Sequence, residues 1–225
     1  VTRIDDIPDV PDISADWYRD IVSWADDTPP MGQTFMEHFT DAGLLLLVGL
    51  WALALWRTRR GPARPMAVAL ISAGGAVAAY LVSEAAKGIL AVERPCRTMR
   101  DVAIIADECP PTGDWSFPSN HATIAVALAV AILLTSWRLG LLALPIAALT
   151  AFSRVFLGVH YPHDVIAGVL IGAFVTVIVV LVLRYPGTKL VTLLRERTVL
   201  RRLLTAGPSP VGASAAQDRE TAAKN

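Results

Sequence analysis

The chain has 225 residues, 54% of them hydrophobic, with 20 basic and 20 acidic side chains. So apolar a composition favours an integral membrane protein over a soluble domain. A formal net charge of zero gives no reason to expect a nucleic-acid partner.

Residues 1–35 are expected to form an extracytoplasmic segment. Its start is acidic (Asp5, Asp6, Asp9, Asp12, Asp16). The first forty residues lack the basic start and cleavage site of a signal peptide, so the membrane signal is expected from later, uncleaved segments. Ser14 to Asp27 reads as a short amphipathic helix, with Trp17, Ile21 and Trp24 at i, i+4 and i+7. Its Trp side chains and Tyr18 suit a membrane interface, with packing against the bundle as the alternative.

Five apolar stretches follow. Gly43 to Trp56, extended back through Met36, reaches the roughly 20 residues a span needs. Met66 to Ala86 is rich in Ala and Gly, which permit close helix packing in lipid. Ala122 to Trp137, Leu139 to Leu157 and Val165 to Leu183 complete the set. None alternates with the two-residue period of a barrel strand, so the expected fold is all-α, a polytopic transmembrane bundle of about five spanning helices. Residues 36–184 are its expected extent. Leu190 to Leu204 mixes leucines with arginines and is expected to lie along the inner surface as a helix. Ala206 to Asn225 reads as a disordered tail, so 185–225 forms a third, cytoplasmic region.

Lys and Arg in the connections set the orientation. Arg57, Arg59, Arg60 and Arg64 follow the first stretch, Arg138 the third, and Arg184, Lys189, Arg195, Arg197, Arg201 and Arg202 the fifth. Five crossings place all of these on one side, which is then cytoplasmic. The N-terminus and the loop from Arg94 to Phe117 lie outside. Cys96 and Cys109 both fall in that loop. A disulfide and two free thiols are equally open readings.

This topology gathers three polar clusters at the outer boundary: Lys87 to Pro95, Pro118 to His121 and Ser153 to Asp164. Charges there are costly unless they serve a function. Lys87 and Arg94 are seven residues apart, on one face if the helix continues, with Pro95 ending it. Arg offers a planar fork to phosphate oxygens and Lys a point charge. Ser119 is placed as an N-cap, which leaves the amides of Asn120 and His121 free to bind an anion. His160 and Asp164 are spaced to meet on one helical face, with Pro162 in its first turn. The carboxylate would fix the imidazole tautomer, as a nucleophilic histidine requires. His163 reads as an interfacial neighbour that does not share Asp164. Glu37, His38 and Asp41 sit at the outer end of the first stretch, a solvated helix end by default, with the lining of the site entrance as the alternative. A zinc between His121 and His160 would be ringed by Lys87, Arg94 and Arg154. Those cations point to an anionic ligand and against a metal or other cofactor.

In order, K-x6-R-P, P-S-x-H and S-R-x5-H-x3-D resemble the motifs of the type 2 phosphatidic acid phosphatase (PAP2) superfamily, over roughly residues 65–184. The resemblance implies a metal-independent lipid phosphatase, with a lipid phosphate and the bilayer as its partners and its active site on the extracytoplasmic side of the plasma membrane. It implies that His160 attacks phosphorus, that Asp164 orients it, and that His121 protonates the leaving oxygen and then activates water. Lys87, Arg94, Ser119, Asn120 and Arg154 would bind phosphate. The family's second motif commonly has Gly where this chain has Asn120, a difference that bears on the substrate. The surrounding SFPSNHAT and GVHYPHDVIAG resemble the bacterial undecaprenyl pyrophosphate phosphatase branch. A phosphatase of phosphatidate, phosphatidylglycerol phosphate or a phosphorylated prenyl sugar, a lipid phosphotransferase and a non-catalytic lipid-phosphate binder or flippase are the rival readings.

Overall fold

The computed structural model describes residues 10–99, 101–196 and 205. The described residues form helices and connecting loops, with no strand. Helix α1 is Asp12–Asp26, α2 Pro30–Thr58, α3 Ala63–Leu90 and α4 the single turn Pro95–Thr98. Helix α5 is Asn120–Thr135, α6 Trp137–Phe156 and α7 Pro162–Glu196.

Helices α2, α3, α6 and α7 are each long and apolar enough to cross a membrane. Helix α5 has 16 residues, about 24 Å at 1.5 Å per residue, short of a hydrocarbon core of roughly 30 Å. It lies at the centre of the bundle, packed against α2, α3, α6 and α7. Ala122, Ala125, Ala127, Ala129 and Ala131 are buried there. Their small side chains let four neighbours approach the one helix.

Two glycines set the α5–α7 contact. A Cβ at Gly168 would lie 2.5 Å from the Ser119 carbonyl oxygen, and one at Gly172 2.4 Å from that of Thr123. The Ser119 amide also donates to the Asp164 carbonyl at 3.0 Å. The start of α5 and the first turn of α7 are therefore held in direct backbone contact. Gly43 acts similarly between α2 and α6, where a Cβ would meet Thr150 Oγ1 at 2.1 Å.

Helix α1 forms over nearly the expected residues and packs one face on α6 and α7. Ser14, Ala15, Tyr18, Val22 and Ala25 are buried, while Trp17 and Trp24 are exposed. Tyr18 is not interfacial: its hydroxyl donates to the Gly158 carbonyl at 3.0 Å and its ring packs on Tyr161. A buried tyrosine needs such a partner, and the turn before α7 supplies it.

The region after residue 184 also departs from expectation. Helix α7 runs on through Pro186 to Glu196 instead of breaking into a separate surface helix. Proline is tolerated inside membrane helices where neighbours support the backbone. Here Gly187 packs against Ile71 of α3, and Arg195 donates to the carbonyls of Gly61 and Thr58 at 2.8 and 3.3 Å. Residues 197–204 and 206–225 lie outside the described residues.

Candidate active site

The sequence clusters meet at one end of the bundle, where α3 ends, α5 and α7 begin and α6 closes. Helix α3 does not continue to Arg94. It stops at Leu90, Ala91 is left-handed at φ 48°, and residues 91–94 are irregular. The residue before a proline is driven out of the helical region, and Arg94 is extended before Pro95, which opens α4. This break turns the Arg94 guanidinium back toward α7.

Arg94 is the hub of the site. It is 3% exposed. One terminal nitrogen lies 3.0 Å from His160 Nε2 and donates to the Val159 carbonyl at 3.0 Å. Its Nε donates to the Asp114 carbonyl at 2.7 Å, and its other terminal nitrogen pairs with Asp114 Oδ1 at 3.0 Å. Lys87 Nζ donates to the same Oδ1 at 2.8 Å. Burial raises the pKa of Asp114, but the Lys87 hydrogen bond, together with Arg94, outweighs it and holds the carboxyl below its ordinary value. Asp114 was not singled out in the sequence.

Arginine has no acceptor, so the Arg94 contact makes His160 Nε2 the acceptor and puts the ring proton on Nδ1. Nδ1 lies 3.4 Å from both Asp164 Oδ2 and Ser116 Oγ. Ser116 Oγ in turn donates to Asp164 Oδ2, so serine, histidine and carboxylate meet in one triangle. Burial first, then the charges of Arg94, Arg154 and Lys87, push the His160 pKa well below 6.5. A neutral ring carries no proton on Nε2, and the lone pair there is held by the Arg94 hydrogen bond.

His160 lies outside any helix, because α7 begins at Pro162. The i, i+4 pairing therefore arises from a cap. Asp164 reaches back to accept from the Tyr161 amide at 2.8 Å, as an acidic residue in a helix first turn does. His163 is closer to Asp164 than the sequence suggested: Nε2 is 3.2 Å from Oδ1, although Oδ1 makes no hydrogen bond. His163 also takes up Ser14 at 2.7 Å and stacks on Phe117 and Tyr161. It ties α1 to α7.

Across the site, Ser119 precedes α5 but makes no side-chain cap. Its Oγ and the Nε of Arg154 are buried without a hydrogen-bond partner among the described residues, while Arg154 donates to Thr40 Oγ1 at 3.0 Å. Unpaired buried donors beside a helix N-terminus suit an anion. The side chain of Asn120 turns away to α3, where it accepts from Ser83 at 2.6 Å and donates to Glu84. His121 Nε2 lies 3.1 Å from Asp41 Oδ1. Arg97 is engaged by Glu93 at 3.9 Å and by the Pro110 carbonyl; Arg100 lies outside the described residues. Cys96 and Cys109 form a disulfide that ties α4 to the loop leading to Asp114. Among the described residues no cluster of three potential metal ligands occurs.

Comparison with known proteins identifies the family. The PAP2 superfamily model matches residues 67–187. An undecaprenyl-diphosphatase of Sulfolobus acidocaldarius is 40% identical over 104 residues, 44% of this chain and 48% of that protein. The chain thus spans about half the length of that relative. A decaprenylphosphoryl-5-phosphoribose phosphatase of Mycobacterium tuberculosis is 36% identical over 148 residues, 64% of this chain and 75% of that protein. Two solved structures share the fold. The transmembrane PAP2-type phosphatidylglycerolphosphate phosphatase of Bacillus subtilis has a TM-score of 0.57 at 22% identity, over 75% of this chain and 85% of that one. Aquifex aeolicus LpxE has a TM-score of 0.58 at 21% identity, over 77% and 98%. The chain is an integral membrane protein and belongs to the PAP2 superfamily.

Proposed function

We propose that this PAP2 superfamily member is a metal-independent lipid phosphatase that hydrolyses a polyprenyl diphosphate, undecaprenyl pyrophosphate, through a phosphohistidine on His160. The carrying observation is the Arg94 contact to His160 Nε2 at 3.0 Å. It holds a neutral imidazole lone pair among the cations that would bind the phosphoryl group. Ser119 Oγ, Arg154 Nε and the first amides of α5 supply further donors, and a phosphoryl group competes with Asp114 for Lys87 and Arg94.

In the first step the Nε2 lone pair attacks phosphorus and the bond to the leaving oxygen breaks, with a proton passing from His121 to that oxygen. In the second, water attacks phosphorus, its proton goes to His121, and the N–P bond breaks to release phosphate and restore His160. Ser116 and Asp164 keep the His160 proton on Nδ1 throughout. The developing charge is met by fixed donors that need no reorganisation.

The basic connections favour the site end as the extracytoplasmic one, and the Cys96–Cys109 disulfide suits an oxidising compartment. A lipid substrate then reaches the site sideways from the outer leaflet. A second substrate, a phosphorylated prenyl sugar, is favoured by one observation. Glu84 lines the same pocket as Lys87 and Asp114, paired to Asn120, and a carboxylate there disfavours a second phosphate but accepts hydroxyls. The Mycobacterium relative is named for such a substrate.

The test is phosphate release by the purified chain in detergent with excess EDTA. The panel is undecaprenyl diphosphate, a decaprenylphosphoryl phosphoribose, phosphatidate and phosphatidylglycerol phosphate. Release from a prenyl substrate, lost in His160→Ala, is expected. Full activity of that variant, or strict dependence on a divalent metal, overturns the reading.

A further inference from the structure

We infer that Asp41 is the positioning residue of His121, holding its Nε2–H so that Nδ1 faces the leaving oxygen as an imidazolium. The inference rests on the reading that His121 is the proton donor. It brings a residue of α2 into the chemistry, and α2 lies outside the 67–187 segment that matches the superfamily.

Geometry comes first. Asp41 Oδ1 is 3.1 Å from His121 Nε2. An ionised carboxylate only accepts, so Nε2 carries the hydrogen and Nδ1 is left for the reaction. Helix α2 is brought this close to α6 because Gly43 has no side chain to strike Thr150. The same turn of α2 serves both sides of the site, since Thr40 holds Arg154 at 3.0 Å.

Charge gives the second argument. The leaving-group step needs a protonated His121 in a site that already holds Lys87, Arg94 and Arg154. A further cation there requires a counter-charge. The other nearby carboxylates have partners elsewhere: Asp114 with Lys87 and Arg94, Asp164 with Ser116 and the Tyr161 amide, and Glu84 with Asn120. Among the described residues Asp41 is the acidic side chain in contact with His121. The pair is also open to water, with side chains 31% (His121) and 78% (Asp41) exposed, as a group that must reload its proton each cycle requires.

The test compares two substrates of the full chain in detergent: decyl phosphate, whose alkoxide must be protonated as it leaves, and 4-nitrophenyl phosphate, whose phenolate leaves unaided. Asp41→Asn is expected to slow the first step with decyl phosphate about 10-fold or more, part of the roughly 10²- to 10⁴-fold that a positioned acid–base supplies. With 4-nitrophenyl phosphate the same variant should release nitrophenolate in a fast burst followed by a slow steady rate, because only the water step is impaired. Asp41→Glu should recover part of the decyl phosphate rate, and Asp41→Asn added to His121→Ala should cost nothing further. Equal slowing of both substrates without a burst, or unchanged rates, overturns the role of Asp41 while His121→Ala remains defective. Full activity of His121→Ala overturns the reading beneath it, as does a wild-type chain that releases phosphate from neither compound.

Discussion

The two histidines of the site are built in opposite ways. His160 is 2% exposed and is approached by Arg94, Ser116 and Asp164. His121 is about a third exposed and, among the described residues, is paired with the side chain of Asp41, itself facing water. In the proposed reaction the nucleophile presents one lone pair in one direction, which suits a ring held from several sides. The proposed acid–base group takes its proton back from an incoming water, which suits a more exposed ring beside a carboxylate. Side-chain exposure, more than residue type, distinguishes the two environments.

Exchanging or removing these environments is the way to break the contrast. The largest effect is expected from His160→Ala, which removes the proposed nucleophile and should reduce phosphate release to background. His121→Ala should be less severe, about 10²- to 10⁴-fold in kcat; a loss equal to that of His160→Ala in the formation of the phosphoenzyme would erase the distinction. Ser116→Ala should cost less again. A hydrogen bond to a charged group is worth about 1.5–3 kcal/mol, which corresponds to roughly 10- to 100-fold in kcat at 1.4 kcal/mol per decade. Unchanged kcat would mean that Asp164 orients His160 without the serine. The smallest perturbation is a titration. Because burial and then Arg94, Arg154 and Lys87 disfavour the imidazolium, ¹⁵N spectra of histidine-labelled protein should show His160 neutral and protonated on Nδ1 below pH 6.5. Its charged form should appear only on further acidification, and a midpoint at the ordinary value would contradict the proposed clamp.

Much of the fold is legible in the sequence because membrane helices carry long apolar runs. Three of the five stretches from Met36 to Leu183 fall within single helices, the third crosses the break at Ser136 and the fourth ends one residue past α6, while His160, Asp164, Lys87 and Arg94 come together at one end. What escapes has local causes. The seven-residue interval from Lys87 to Arg94 suggests a continuous helix, yet the residues before Pro95 leave it. The His160–Asp164 interval is also helical in number, but the contact comes from an acidic residue folding back on its own helix start. Ser116 and Asp114 lie in an irregular loop with no period to read. Asp41 is 80 residues from its partner, and the one available signal was an acidic side chain in an apolar helix, where charge is costly without a function.

The central claim is that phosphorus becomes bonded to His160. Rapid alkaline quenching of the enzyme during turnover of ³²P-labelled undecaprenyl diphosphate, followed by peptide mapping, tests it directly. The account predicts acid-labile, alkali-stable label on the peptide that contains His160, absent from His160→Ala and accumulating in His121→Ala relative to its rate of phosphate release. Label on His121, or turnover with no labelled peptide and inversion of configuration at phosphorus, would contradict it.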